Sequence, residues 1–192
     1  MENLAEAAVP IALGLALAAA TGFRVFIPML IAGLAARGGY LPLADSLDWI
    51  ATTPALIMLA VAAIAEIAAY YVPVLDNLLD GIAGPVAVGA GIAVSYAVMG
   101  DLPPMLKWSL AIIAGGGAAA ATQGATTLLR GASTMLTGGI GNSALATGEI
   151  IGAILLSVLA IMLPYLALVA AIIFIVFAWR LVMKAKRRKA IP

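Results

Sequence analysis

The chain has 192 residues, of which 65% are hydrophobic and only 10% are charged. A soluble domain carries about 25% charged residues, so this composition excludes a soluble globular fold and indicates an integral membrane protein. The chain contains no cysteine and no histidine. Disulfides, thiolate chemistry and most zinc or copper sites are therefore excluded.

Six apolar runs, separated by proline, glycine or charged residues, predict about six transmembrane helices in an all-α fold. The runs cover residues 4–36, 54–72, 82–99, 105–136, 143–163 and 165–183. We expect one transmembrane domain over residues 1–192. Pro164 separates the last two runs, and a proline kink within one long helix is the alternative there.

The two ends of the chain differ in charge. The first residues carry Glu2 and Glu6 and no basic residue, which argues against a cleaved signal peptide. Residues 184–192 form a basic tail directly after an apolar run. The positive-inside rule places this tail in the cytoplasm, where anionic lipid, and not nucleic acid, is its expected partner. Six spans then place both termini in the cytoplasm.

The first and fourth runs each exceed the length of about 20 residues that a single span needs. The first contains Gly22 and Pro28, and the fourth contains a glycine triplet at 115–117. Each is either a strongly tilted helix or a broken one, as found at transporter sites. Residues 19–24 resemble residues 125–130, which predicts inverted repeat halves 1–100 and 105–183.

Charged side chains within apolar spans are costly and mark functional sites. Thr122, Thr126, Arg130 and Thr134 recur every four residues and share one helix face, with Thr127 beside it. We interpret this face as a hydroxyl-lined path, the alternative being helix packing with one buried salt bridge at Arg130. The candidates for a substrate or ion pathway are Arg24, Glu66, Arg130, Glu149, Thr126, Thr127, Asp76 and Asp80.

The acidic candidates each allow two interpretations. Glu66 shares a helix face with Tyr70 and either couples transport to a proton or pairs with Arg130, for which Glu149 is the other candidate partner. Glu149 follows a glycine-rich segment. This segment is either a flexible gate or a plain turn in which Asn142 or Ser143 caps the next helix. Asp76 and Asp80, four residues apart, either bind a cation together or face the cytoplasm as a solvated helix start.

The segment Ala20-Thr21-Gly22-Phe23-Arg24-Val25-Phe26-Ile27-Pro28 resembles the start of small prokaryotic membrane proteins grouped as domain of unknown function forty-one twenty-six. The similarity continues through residues 72–77 and 123–133. The resemblance implies a multi-span protein of the bacterial cytoplasmic membrane and implies no substrate.

The sequence shows no catalytic triad and no phosphate-binding loop, so we expect neither an enzyme nor a bound cofactor. The expected function is a small transporter or channel for an ion or a small polar, anionic solute, acting as a homo-oligomer. The alternative is a membrane scaffold whose charges form structural salt bridges.

Overall fold

The computed structural model describes the backbone of residues 2–71, 73–100 and 102–189. Within these ranges, side chains are described except those of residues 2–6, 73–81, 136, 182 and 185–189. All regular secondary structure in the described ranges is helical, which confirms the all-α prediction.

The first long run is broken. Helix α1 spans Glu2–Thr21 and helix α2 spans Phe26–Arg37, so the chain leaves the helical path between Gly22 and Val25. Pro28 lies in the first turn of α2, where a missing amide hydrogen costs no helical bond. The broken-helix interpretation is therefore confirmed for this run.

A bent pair of helices follows. A short 3-10 helix at Asp45–Ala51 meets helix α3, Thr53–Ala69, at an angle of 66°. Arg37 at the end of α2 donates a hydrogen bond of 2.8 Å to the hydroxyl of Thr53, which ties α2 to the start of α3. Helix α4 then spans Pro73–Val98.

The second long run remains helical. Helix α5, Pro104–Leu110, continues through a π-helical turn at Ala111–Gly115 into helix α6, Gly116–Thr137. The extra residue in the π-helical turn shifts the helical register without freeing the backbone. The glycine triplet therefore does not break this run, and the broken-helix interpretation is wrong here.

Two helices complete the fold. Gly138 and Gly139, with φ of 64° and 95°, form the turn into helix α7, Asn142–Met162. Helix α8, Pro164–Lys189, begins directly after Leu163. The predicted cap of α7 by Asn142 or Ser143 is wrong, because no described side chain caps the start of this helix. Oδ1 of Asn142 accepts no hydrogen bond from a described group, and its Nδ2 donates to the hydroxyl of Thr134 across the turn.

Three helical segments among the described residues are long and apolar enough to cross a membrane. They are Pro104–Met135, Asn142–Met162 and Pro164–Leu181, and the bent pair ending in α3 adds a fourth if it counts as one span. Shorter apolar helices cover Ala7–Thr21, Phe26–Arg37 and Ile82–Val98. These lengths and compositions are those of a membrane protein.

Small residues form the contacts between α1, α4 and α6. A Cβ at Gly91 would lie 2.5 Å from the Cβ of Ala119, and one at Gly115 would lie 2.7 Å from the side chain of Ser95. Small side chains let helix backbones approach closely where lipid provides no hydrophobic driving force. This packing holds the break between α1 and α2 inside the bundle.

Candidate functional site: a buried arginine cluster at the helix break

Arg24 lies in the break between α1 and α2 and is 1% exposed. Its Nη2 donates to the carbonyl of Ala146 in α7 at 3.2 Å and lies 3.0 Å from Oε2 of Glu149. A continuous helix would direct this side chain along the helix surface, whereas the break directs it into the bundle. Arg24, one of the candidates taken from the sequence, is therefore buried inside the bundle.

Arg130 of α6 forms the second ion pair with Glu149. Its Nε donates to Oε1 at 2.9 Å, and its Nη2 contacts Oε2. This parallel, two-bond arrangement is the strongest geometry that an arginine and a carboxylate form. The predicted pairing of Glu149 with Arg130 is confirmed, and Glu149 also pairs with Arg24.

Tyr70, at the end of α3, provides a ring for both guanidinium groups. The Cζ atoms of Arg24 and Arg130 lie 3.7 Å and 4.3 Å from its ring centroid. The negative face of an aromatic ring attracts a cation, and the attraction grows when water is excluded. Arg24, Tyr70, Arg130 and Glu149 together form what we call the arginine cluster.

Glu66 provides hydrogen-bond acceptors for the backbone at the break. Its Oε1 and Oε2 accept hydrogen bonds from the amides of Val25 and Phe26 at 2.9 Å and 3.2 Å. These amides begin α2 and have no partner within that helix, and a carboxylate there also complements the helix dipole. The alternative pairing of Glu66 with Arg130 is therefore wrong.

Among the described side chains of the arginine cluster, cationic groups outnumber carboxylates. Two guanidinium groups, those of Arg24 and Arg130, both pair with Glu149. Nε and Nη1 of Arg24 have no hydrogen-bond partner in the part of the chain that the structure describes, and neither does Oγ1 of the buried Thr122. Buried donors are nearly always paired in folded proteins, so this corner of the site has donors to spare for an anion or water.

The predicted threonine face is only partly internal. Thr122 and Thr126 are buried, and the hydroxyl of Thr126 donates to the carbonyl of Gln123. Thr134 and Thr127 are exposed. Thr127 lines a groove between α4 and α6 on the outside of the bundle. Among the described residues, neither Thr126 nor Thr127 makes a hydrogen bond to the arginine cluster.

The remaining acidic candidates cannot be placed in the site. Asp76 and Asp80 belong to α4, but their side chains lie outside the described residues. Among the described residues, no group of three or more acidic side chains could hold a metal ion.

Sequence reasoning missed two contacts of buried cations. Tyr70 was predicted only to share a face with Glu66, although an aromatic residue one turn from a buried carboxylate is a signal for a cation site. Lys107 was not singled out, yet it is 6% exposed. Its Nζ donates to the carbonyl of Gly100 at 2.9 Å and lies 4.6 Å from the Tyr96 ring centroid, which secures the turn between α4 and α5.

Apolar helices around a buried cluster of charged groups define a class of helical membrane protein in which the charges face the bundle interior. The chain belongs to the family described as domain of unknown function (DUF4126), whose sequence model matches residues 11–184. The resemblance drawn from the sequence is thereby confirmed. No curated protein and no solved structure matches the chain.

Proposed function

We propose that this protein is a small membrane transporter or channel for a small anionic solute, which binds at Arg24. The observation that carries the proposal is the position of Arg24 in a helix break, where it is 1% exposed and has two guanidinium nitrogens without a partner among the described residues. Breaks of this kind in membrane helices recur at the substrate sites of transporters.

The charge of the described side chains at the site favours an anion. Arg24 and Arg130 share the carboxylate of Glu149, and Glu66 is engaged by the amides of α2. A desolvated guanidinium with free N–H groups attracts a negative partner strongly, because little water screens it. An anionic group beside Arg24 would supply the missing acceptors.

The two arginines have different roles in this proposal. Arg130 uses two nitrogens for Glu149, which makes this pair a structural link between α6 and α7. Arg24 gives Glu149 only Nη2, so it is the arginine with donors left for a solute. Losing Arg24 would leave Glu149 paired, whereas losing Arg130 would remove the stronger of its two partners.

The membrane arrangement belongs to the same proposal. We place the protein in the bacterial cytoplasmic membrane with six spans, the broken α1–α2 segment counting as one of them and both termini in the cytoplasm. The convergence of Arg24 and Arg130 on Glu149 and Tyr70 supports an inverted repeat, because the two arginines are matched in the sequence. Their backbones differ, since Arg24 lies in a break and Arg130 within α6.

Flux measurements in proteoliposomes test the proposal. Purified protein would be reconstituted and supplied in turn with halides, nitrate, phosphate and small carboxylates across a pH gradient. We expect selective flux of one anion class, reduced to that of empty liposomes by Arg24→Gln. The matched control is Arg180→Gln, because Arg180 is an exposed arginine of α8, and it should conduct as the unaltered protein does.

A membrane scaffold is the second candidate. The observation that favours it is that Glu149 pairs with both arginines and Glu66 with two amides, so each of these carboxylates has a structural partner. Folded, correctly inserted protein that passes no solute would support the scaffold. Selective flux that Arg24→Gln leaves intact would reject Arg24 as the binding residue while keeping transport.

A further inference from the structure

The outer face of α6 carries glycines that the fold itself does not use. Gly117, Gly124 and Gly131 are spaced seven residues apart and are exposed. A Cβ at any of the three would meet no atom of the described residues within 4 Å. Glycine lowers helix stability compared with alanine, so three such positions on one face need a reason outside the contacts of a single copy.

Two further small residues complete a regular pattern on this face. Ala120 and Thr127 are exposed as well, and with the three glycines they occupy positions 117, 120, 124, 127 and 131. The alternating spacing of three and four averages 3.5 residues, the period of two helices that wind around each other with a left-handed crossing. The pattern therefore fits a straight contact with another helix along about four turns.

A largely buried glutamine lies beside this face. A groove of about 510 Å³ between α4 and α6 is lined by Gly84, Val88, Ala120, Gln123, Gly124, Thr127 and Leu128. Gln123 is 9% exposed. Its backbone carbonyl accepts a hydrogen bond from Thr126, but its side-chain amide makes none to any group that the structure describes. An amide within the hydrocarbon region requires a partner, since lipid chains offer none.

We propose that this face of α6 binds the same face of a second copy of the chain, with Gln123 of each copy pairing across the contact. The side-chain amide of glutamine contains both a donor and an acceptor, so two copies related by a two-fold axis complete each other. An acyl chain would fill the groove but would leave Gln123 and Thr127 without partners. Glycines at the crossing let the two backbones approach closely, as small residues do at helix contacts in membranes.

Cysteine crosslinking tests the contact directly, because the chain has no native cysteine. Single cysteines at positions 120, 124 and 127 would be oxidised in native membranes and the products separated by mass. We expect a disulfide-linked dimer at all three positions. The control is Ile173→Cys on α8, a residue that is 62% exposed, and it should remain monomeric. Equal crosslinking at position 173 and on α6, or none on α6, would overturn the proposal.

Energy transfer between labelled copies in liposomes tests it without a covalent link. Gly124→Leu and Gln123→Leu should each abolish the transfer. The matched control is Gly148→Leu on α7, since Gly148 is also an exposed helical glycine with no atom within 4 Å of its Cβ position. It should preserve the transfer.

The alternatives give different results in the same experiments. Unaltered protein that stays monomeric at every protein-to-lipid ratio would overturn the proposal. Native mass spectrometry would then show whether the groove retains a lipid, and a groove without lipid would indicate a different protein as the partner. A dimer that persists in Gly124→Leu would place the contact elsewhere and would equally reject this face. Neither result bears on transport, because the arginine cluster lies within one copy.

Discussion

The two long apolar segments of this chain both contain glycine, yet only one is broken. Residues 22–25 interrupt the first segment between α1 and α2, whereas the second stays helical through Gly115, Gly116 and Gly117. Where the first segment breaks, Glu66 accepts hydrogen bonds from the freed amides of Val25 and Phe26. A break at membrane depth thus requires a partner for the amides it frees, and glycine alone does not produce one.

The surroundings of the glycines differ in the same way. A Cβ at Gly22 would lie 2.5 Å from the carbonyl oxygen of Ala119 and from the Cβ of Thr122. A Cβ at Gly117 would meet no atom within 4 Å in the part of the chain that the structure describes. Close contact with α6 therefore requires glycine at position 22. The contacts within one copy of the chain allow a larger side chain at position 117.

The largest difference in stability should appear when leucine replaces the glycine at each of these two positions. Gly22→Leu places a side chain where backbone atoms of α6 already lie, so we expect no stably folded protein in detergent. Gly117→Leu should preserve the fold, because its side chain extends into open space. Size-exclusion chromatography and thermal unfolding of both variants check this. A folded Gly22→Leu variant would show that the break does not depend on contact with α6.

A smaller effect should come from the carboxylate at the break. Glu66→Gln replaces one of two acceptor oxygens with a donor, so one of two amides loses its partner. An unsatisfied buried donor costs about 1–3 kcal/mol, and we expect the free energy of unfolding to fall by about that amount. Hydrogen exchange at Val25 or Phe26 should accelerate.

The control for that variant is Asp48→Asn, which changes an exposed acid to its amide. It should change neither the stability nor the exchange rates at the break. Unchanged exchange at both Val25 and Phe26 in Glu66→Gln would mean that Glu66 does not hold the break, and the contrast between the two segments would then rest on packing alone.

The smallest expected change in stability comes from alanine substitutions at two glycines of α4. A Cβ at Gly89 would meet none of the described atoms within 4 Å, whereas a Cβ at Gly91 would lie 2.5 Å from that of Ala119. Gly89→Ala should raise the free energy of unfolding by about 0.5–1 kcal/mol through helix propensity. Gly91→Ala should lower it. Denaturant titration measures both, and equal changes would contradict the assignment of Gly91 to a close helix contact.

Much of the site could be predicted from the sequence because charge is rare in apolar helices. Arg24, Arg130 and Glu149 were identified on that ground, and the structure brings them together. The break near Gly22 was one of two alternatives, since length and glycine content describe both long segments equally well. Only the three-dimensional contacts distinguish them.

The sequence did not predict the partners of Glu66 or the outward position of Thr127, because both depend on which helices pack against each other. Glu66 was expected to be free or paired with an arginine. Its partners are the backbone amides of Val25 and Phe26, and a pattern of side chains does not indicate which backbone amides need an acceptor. Thr127 lies next to Thr126 in the sequence, yet a rotation of about 100° between neighbouring residues turns it outward. Helix periodicity gives the faces of a helix, and the neighbouring helices decide which face is internal.

The most direct test of the central claim, that an anion binds at Arg24, is anomalous scattering from crystals grown with bromide or with selenate. Bromide represents a halide and selenate represents an oxyanion. We predict a peak for at least one of them within hydrogen-bond distance of Nε or Nη1 of Arg24. Well-ordered crystals in which both anions scatter only from the protein surface would contradict the account.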